Sequence, residues 1–413
     1  MWLNLTATYN LPIIEMSGFH LTNLVFFIFI SFAFLNSIFN FNNNKSAYFI
    51  NNLLNVFSVL FFLYLLIKFS RLNTFGFDVP SNFMSIYCFY LFLYYFYLEK
   101  DLIEKKKYIF EKIIIFSGFA VLIKLSNLLI LLLPFFLFII KEKKQLSRSL
   151  IFISCFFIIW SIQQFIYTGC FIFPIIQSCF DVSWFNIDPV ISLLDHTKGI
   201  NRSFAQYKGS LSEIEYSQNF NWVSTWFNRT KIEILEHVLT FIIIFFSIFL
   251  CFVQSKKKIY YNKIKIYNFY YIIILIILLQ VIFWFNTSPV VRFGIHYALL
   301  LLFFVFTLFL SKFFLKNTIK HKYVIILIYF GLAINLEKNF FRIFYDIKNN
   351  YSFFYDYPNI YYINKYIFEK DININYLIKT KSIYCWNTPS LCLAGNQNIS
   401  INRVNGYLFV STK

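Results

Sequence analysis

Four ionisable side chains stand in or beside apolar sequence and are the first candidates for chemistry. Lys124 interrupts the apolar stretch Ile113–Ile140, where a bare ammonium is costly unless it faces a bundle interior or a water-filled cavity. Arg292 and His296, in SPVVRFGIHY, are four residues apart, which places them on one face of a helix. A guanidinium at a helix start suits phosphate. We therefore predict that Lys124, Arg292 and His296 bind a substrate phosphate. Asp78, in FGFDVPSN, is the predicted catalytic carboxylate, acting as a base or a metal ligand.

Each of these residues also has a purely structural explanation. Asp78 is suited to start a helix, where the N-terminal dipole stabilises a carboxylate. Lys124 can be read as a snorkelling lysine, and Arg292 and His296 as interfacial anchors. No metal site is predicted, because the sequence has no HExxH or CxxC motif, although a divalent cation stays open. Five further acids in the segment 167–233 cannot be ranked: Asp181, Asp188, Asp195, Glu213 and Glu215.

Four of the seven cysteines form two close pairs. Cys170 and Cys179 lie near the start of the long polar segment 167–233, and Cys385 and Cys392 lie near the end of the chain. This pairing predicts two disulfides in an oxidising compartment, with four free thiols as the alternative.

The composition is that of a polytopic membrane protein. Of the 413 residues, 59% are hydrophobic and only 14% are charged, and the mean hydropathy is +0.62. The net charge of +18 does not indicate nucleic acid, because the basic residues cluster in short loops between apolar runs. The predicted partner is therefore the lipid bilayer, and not a nucleic acid.

The apolar runs predict an all-α membrane protein with about eight spanning helices plus a short-helix hairpin. The predicted spans are Leu21–Ile38, Ala47–Ile67, Phe83–Leu98, Leu150–Ile166, Ile234–Val253, Phe269–Phe285, Gly294–Leu310 and Tyr323–Leu336. The hairpin is Ile113–Ile140, because Lys124 divides it into two pieces that are each shorter than the ~20 residues a span needs. We expect it to return to its starting side, with Lys124 near its tip.

The loop charges predict the orientation of the bundle. Lys and Arg concentrate in the loops at 100–112, 141–148, 256–265 and 312–322. The positive-inside rule places these loops in the cytoplasm of a bacterial inner membrane. Residues 1–336 then form the transmembrane domain, the loop 167–233 lies on the outer, periplasmic or extracellular side, and residues 337–413 form a small outer tail domain. Trp222 and Trp226, four apart, predict an amphipathic helix on the outer surface.

Several segments resemble known membrane enzymes. GFAVLIKLSNLLILLLP, YTGCFIFP and SPVVRFGIHYALLLLFF resemble, in order, segments of the GT-C class of glycosyltransferases, which use lipid-linked sugars. FGFDVPSN, TGCFIFPIIQSCF and CWNTPSLC resemble a family of bacterial polytopic proteins found with surface-polysaccharide genes. The resemblance implies a GT-C-like bundle with short, non-spanning helices and an active site that faces outward.

The start of the chain departs from that pattern. GT-C enzymes carry a carboxylate in a first outer loop between two spans, whereas Glu15 is the only acid before Leu21. Two explanations are open: a small uncharged N-terminal tail is translocated, or a first span and most of a first loop are missing.

Two functions from different classes follow. The first is a glycosyltransferase that takes a polyprenyl-phosphate-linked sugar for cell-surface polysaccharide or glycolipid assembly. The alternative is a non-catalytic membrane protein, either a flippase for lipid-linked glycans or a truncated remnant of the enzyme. Transporters usually show internal repeats, and the single broken element here has no second copy, which favours the enzyme.

Overall fold

The structure is a computed structural model and describes most of the chain. The described residues are 18–40, 48–68, 78–98, 103–140, 147–173, 175–182, 188–254, 266–348, 367–371, 374–380, 392–394, 399–404 and 407–412. The helices are α1 (Gly18–Asn40), α2 (Tyr48–Lys68), α3 (Asp78–Tyr97), α4 (Ile103–Ile123), α5 (Leu132–Ile140), α6 (Ser147–Thr168), α7 (Asp188–Asn201), α8 (Glu213–Tyr216), α9 (Val223–Phe249), α10 (Ile266–Thr287), α11 (Val291–Phe309), α12 (Ser311–Lys316) and α13 (His321–Lys348). The chain forms two compact units, Thr22–Asn335 and a second one made of Met1–Leu21 with Leu336–Lys413.

The first unit is a helical bundle built on aromatic and aliphatic packing. Helices α2, α3, α9, α10 and α11 surround one core, in which Phe57 and Phe303 meet edge to face at 5.1 Å. Hydroxyl groups join α1 to α2 and α3, since Ser37 lies 3.0 Å from Ser58 and accepts a hydrogen bond of 2.8 Å from Tyr90. Short polar side chains of this kind hold helices together where lipid supplies no hydrophobic drive for association.

Six described helices are long and apolar enough to cross a membrane: α2, α6, α9, α10, α11 and α13. The chain is thus a multi-pass helical membrane protein. The sequence predicted about eight spans, and the other two, within α1 and α3, do form helices. The side chains of α1 are described from Val25 to Phe39, and this apolar stretch is shorter than a full span. Helix α3 begins with the polar residues DVPSN and is rich in tyrosine, which lowers its hydropathy. Among the described residues, six helices therefore qualify as spans by length and composition, and the total of about eight stays a prediction.

The broken element is a helical hairpin. Its first arm, α4, packs along α3, and its second arm is a 3-10 segment, Leu125–Leu131, that continues into α5. Lys124 lies between the arms with extended backbone angles (φ −151°, ψ 111°). The first arm begins at Ile103, ten residues before the predicted Ile113, because Glu104 and the lysines after it join the helix.

Residues 188–222 fold onto the turn between α10 and α11, where Asn201 and Arg202 bond to Ser288 and Asn286. Trp222 and Trp226 are buried in an aromatic cluster with Tyr216 and Trp284. The predicted surface-lying helix is therefore wrong: Trp226 belongs to the first turn of the long helix α9, and both indoles pack inward.

Short strands complete the chain. In the bundle, β1 (Phe252–Gln254) pairs antiparallel with β2 (Asn317–Ile319). In the second unit, the strands are β3 (Ile367–Asp371), β4 (Ile374–Thr380), β5 (Cys392–Ala394), β6 (Ile399–Val404) and β7 (Tyr407–Thr412). They form one sheet in the order β3-β4-β5 and a separate antiparallel pair, β6-β7.

Candidate functional site

Three of the predicted site residues meet at one end of the bundle. Lys124 Nζ lies 2.6 Å from Asp78 Oδ1, and Arg292 Nε lies 3.3 Å from Asp78 Oδ2. Both carboxylate oxygens are therefore engaged by cations, one on each side. Lys124 and Asp78 are mostly buried, whereas the Arg292 side chain is 67% exposed. A single carboxylate faces two cations, so the cluster carries one excess positive charge.

Three separate elements position this cluster. Asp78 is the first residue of α3, where the helix N-terminus stabilises a carboxylate. Lys124 is the one extended residue at the hairpin tip, and its carbonyl accepts a 3.0 Å hydrogen bond from the Asn127 backbone N–H. Arg292 is the second residue of α11, which begins at Val291 after the extended Val290. Each cluster residue therefore sits at the end of a helix, where the chain can reach the mouth of the bundle.

An aromatic ring joins the two cations. Lys124 Nζ lies 3.3 Å from the centroid of the Phe293 ring, and Arg292 Cζ lies 5.1 Å from it. A cation over an aromatic face is stabilised by about 0.5–2 kcal/mol, more when it is desolvated. The sequence signal for this contact is the dipeptide Arg292-Phe293.

A buried polar network supports the hairpin tip from below. The Asn127 side chain donates to Ser81 Oγ and accepts a 2.7 Å hydrogen bond from Tyr297 OH. The Asn82 amide donates to the Arg292 carbonyl oxygen at 2.9 Å, and Gln280 donates to a carbonyl of the hairpin, that of Ser126. These bonds tie α3, α10 and α11 to the tip. They offset part of the desolvation penalty of burying polar side chains there, whereas Asn82 Oδ1 and Gln280 Oε1 have no hydrogen-bond partner among the described residues.

His296 does not share the exposed face of Arg292. The imidazole is fully buried, and neither ring nitrogen has a hydrogen-bond partner among the described residues. The spacing of four residues does put both on neighbouring turns, but α11 turns His296 into the bundle. Its role as a phosphate ligand stays a prediction.

Side chains of Arg202, Trp226 and Trp284 hold the turn that precedes Arg292, a feature that the sequence did not reveal. Trp226 Nε1 donates to the Pro289 carbonyl at 2.5 Å, and Trp284 Nε1 donates to the Val290 carbonyl at 2.9 Å. Arg202 adds a bond to the Asn286 carbonyl at 2.7 Å. The spacing of Trp222 and Trp226 gave only an amphipathic signal in the sequence, because the carbonyl that Trp226 binds, that of Pro289, lies 63 residues away.

The pKa values of two charged side chains outside the spans, Arg202 and Glu215, are lowered. Burial lowers the pKa of the Arg202 guanidinium, which also lies 5.0 Å from the Trp222 ring. Hydrogen bonds from the side chain and backbone of Ser212 lower the pKa of Glu215. Ser212 and Glu215 form a reciprocal cap at the start of α8, so this acid has a structural task.

The remaining loop acids divide by their contacts. Glu213 lies 3.1 Å from His196, and Asp195 lies 3.2 Å from Lys198. Asp181 is exposed, and the side chain of Asp188 is outside the described residues. Across the parts of the chain that the structure describes, no three His, Cys, Asp or Glu side chains are grouped to hold a metal ion.

A second polar patch lies where α2 meets α9. Lys68 Nζ lies 3.3 Å from Glu236, and Tyr64 OH lies 2.6 Å from His237 Nδ1. Glu233 lies one turn earlier on the same helix.

One predicted disulfide is present. Cys170 and Cys179 are bonded, with their sulfur atoms 2.08 Å apart. Cys385 lies outside the described residues, and of Cys392 only the backbone of β5 is described, so the second bridge stays a prediction.

The fold and this site define a multi-pass helical membrane protein with a charged cluster at one end of its bundle. The chain belongs to the family described as a domain of unknown function (DUF8201), whose profile matches residues 1–299. No curated protein and no solved structure matches the chain.

Proposed function

We propose that this protein is a membrane glycosyltransferase that takes a sugar from a polyprenyl-phosphate carrier, for cell-surface polysaccharide or glycolipid assembly. One observation carries the proposal: Lys124 and Arg292, from distant segments, converge on one carboxylate at a helix break. Placing the Lys124 ammonium within apolar sequence is costly, and a pair of cations at such a position is suited to an anionic ligand. The bacterial inner membrane, with this end of the bundle facing outward, is the proposed location.

The proposed reaction gives a role to each member of the cluster. The donor phosphate would replace Asp78 between Lys124 and Arg292, as one anion displaces another. When the bond from the sugar to the phosphate oxygen breaks, the phosphate leaves with the electron pair, and the two cations stabilise its charge. The acceptor hydroxyl oxygen forms the new bond to the sugar, and the released Asp78 takes its proton as general base. Asp78 is thus first a counter-ion and then a base.

The alternative is a non-catalytic protein, a lipid-linked-glycan flippase or an enzyme remnant. The observation that favours it is the closed state of the cluster, in which both oxygens of Asp78 are occupied. In that case, the ion pairs only lock the hairpin tip to α3 and α11.

Binding of a phosphate probe tests the proposal. The probe is a short-chain polyprenyl phosphate in detergent, with the corresponding polyprenol as the uncharged comparison. We expect the full chain to prefer the phosphate, and Lys124→Met and Arg292→Gln each to weaken its binding about tenfold, equivalent to ~1.4 kcal/mol. Lys198→Met is the matched control, because Lys198 is an exposed loop lysine paired with Asp195.

The outcomes separate the readings. Equal binding of phosphate and alcohol, or unchanged binding in both cluster variants, would reject the phosphate site. If the probe binds but a polyprenyl-phosphate hexose is neither hydrolysed nor used for transfer, the flippase or remnant is favoured.

A further inference from the structure

The disulfide-closed segment that follows α6 is unusual for an extramembrane loop. No charged residue occurs between Arg148 and Asp181, so the uncharged sequence runs from α6 through the whole of this segment. Helix α6 has 22 residues, which is about 33 Å of helix and already matches the ~30 Å hydrocarbon thickness. The residues after Thr168 therefore stay apolar beyond the length that one crossing needs.

The segment folds back as a small hairpin held by several hydrogen bonds of its own backbone. Phe180 N–H donates to the Gly169 carbonyl at 2.9 Å, and Phe171 N–H donates to the Ser178 carbonyl at 3.0 Å. Gly169 has a φ of +63°, a conformation that favours glycine, and this reverses the chain. Ser178 Oγ also lies 3.0 Å from the Ile172 backbone nitrogen. Irregular backbone is tolerated next to lipid only when its polar groups are paired in this way.

The outer surface of the hairpin is hydrophobic and continues the surface of α6. Phe171, Ile175 and Phe180 are all exposed. The Phe171 ring stacks on Phe165 of α6 at 4.7 Å, so the hairpin leans back along the helix. Helix α6 itself is almost entirely exposed and apolar, as expected for a lipid-facing span. One uncharged surface thus runs from α6 onto the hairpin.

We infer that the Cys170–Cys179 hairpin inserts into the phospholipid leaflet at the C-terminal end of α6. Its phenylalanines pack among the upper acyl chains, and the disulfide keeps the two strands paired there. In water, three large apolar side chains of this uncharged segment would be exposed to solvent. The interfacial region of a bilayer, in contrast, accepts aromatic side chains readily.

Photo-crosslinking in lipid tests the inference. The photoreactive residue p-benzoylphenylalanine replaces Phe171 or Phe180 in the full chain, which is reconstituted in phosphatidylcholine vesicles and irradiated. We expect mass spectrometry to find covalent lipid adducts at both positions, several-fold above a control position. Ile214 is the matched control, because it is an exposed apolar residue flanked by Glu213 and Glu215.

Folding of each variant is verified by the Cys170–Cys179 bridge in a non-reduced digest. Lipid adducts at 171 and 180 no more abundant than at 214, in protein with the bridge intact, would overturn the inference. This readout uses no sugar carrier, so it stands or falls independently of the proposed transferase.

Discussion

At the scale of single residues, the informative feature is how Asp78 is shared. Lys124 is mostly buried at 2.6 Å from one oxygen, while the more exposed Arg292 meets the other at 3.3 Å. Removing one partner of a buried ion pair leaves the other charge uncompensated. The resulting loss of stability exceeds the net stabilisation that the pair itself provides. The three residues should therefore respond to mutation differently, although they form one cluster.

Asp78→Asn separates the two roles proposed for the carboxylate. We expect stability in detergent to fall by roughly 1.5–3 kcal/mol, since a charged hydrogen bond to Lys124 is lost. Binding of the polyprenyl-phosphate probe should become tighter, because no internal anion competes, while sugar transfer should be lost with the base. Asp195→Asn, at an exposed pair, should change none of these. Weaker probe binding by Asp78→Asn, measured by titration, would contradict the proposal that Asp78 competes with the phosphate for Lys124 and Arg292.

At the scale of elements, the hairpin tip is held by helices that are far apart in sequence. Tyr297 of α11 donates to Asn127, which in turn donates to Ser81 of α3. The same helices carry Arg292 and Asp78, so the network sets the geometry of the charged cluster. The hairpin is therefore positioned by polar side chains within an otherwise apolar core.

Tyr297→Phe tests this support. The substitution leaves the buried Asn127 carbonyl oxygen without its donor, so we expect a loss of about 1–3 kcal/mol in stability. Tyr271→Phe on the exposed face of α10 should lie within about 0.5 kcal/mol of the parent protein. Thermal melting in detergent gives both values. Equal melting temperatures for the two variants would show that the network does not stabilise the tip.

At the scale of the whole bundle, the two ends differ in character. Helix α4 carries Lys105 in its first turn and reaches Lys124 after its last, about 30 Å away along the helix axis. The Lys124 end also carries the loop 188–222, which caps the turn before Arg292. The basic helix start and the capped end therefore lie at opposite ends of α4.

Labelling of intact cells tests the orientation. Lys208→Cys, beside the aromatic cap, should react with a membrane-impermeant maleimide, whereas Lys105→Cys should react only after permeabilisation. The parent chain, whose Cys88, Cys155 and Cys251 are free, supplies the background. Reaction of Lys105→Cys alone in intact cells would mean that the orientation is opposite to the predicted one, with the proposed site on the cytoplasmic side.

Some features could be predicted from the sequence because they depend on local pattern. Apolar runs of spanning length indicate membrane helices, and a lysine inside such a run marks a break, as at Lys124. The Cys170–Cys179 bridge was predictable from close spacing. Six of the predicted spans form helices that are long and apolar enough to cross a membrane, and the two in α1 and α3 stay predictions.

The tertiary structure alone decided which residues meet. Asp78, Lys124 and Arg292 are separated by long stretches of chain, and no spacing rule relates them. Burial likewise depends on which way each helix is turned by its neighbours: Arg292 and His296 share a helical spacing, yet one is exposed and the other fully buried. Trp226 joins the cap for the same reason, since the carbonyl it binds belongs to a turn made by other helices. Local periodicity determines elements, whereas a site is made where elements pack.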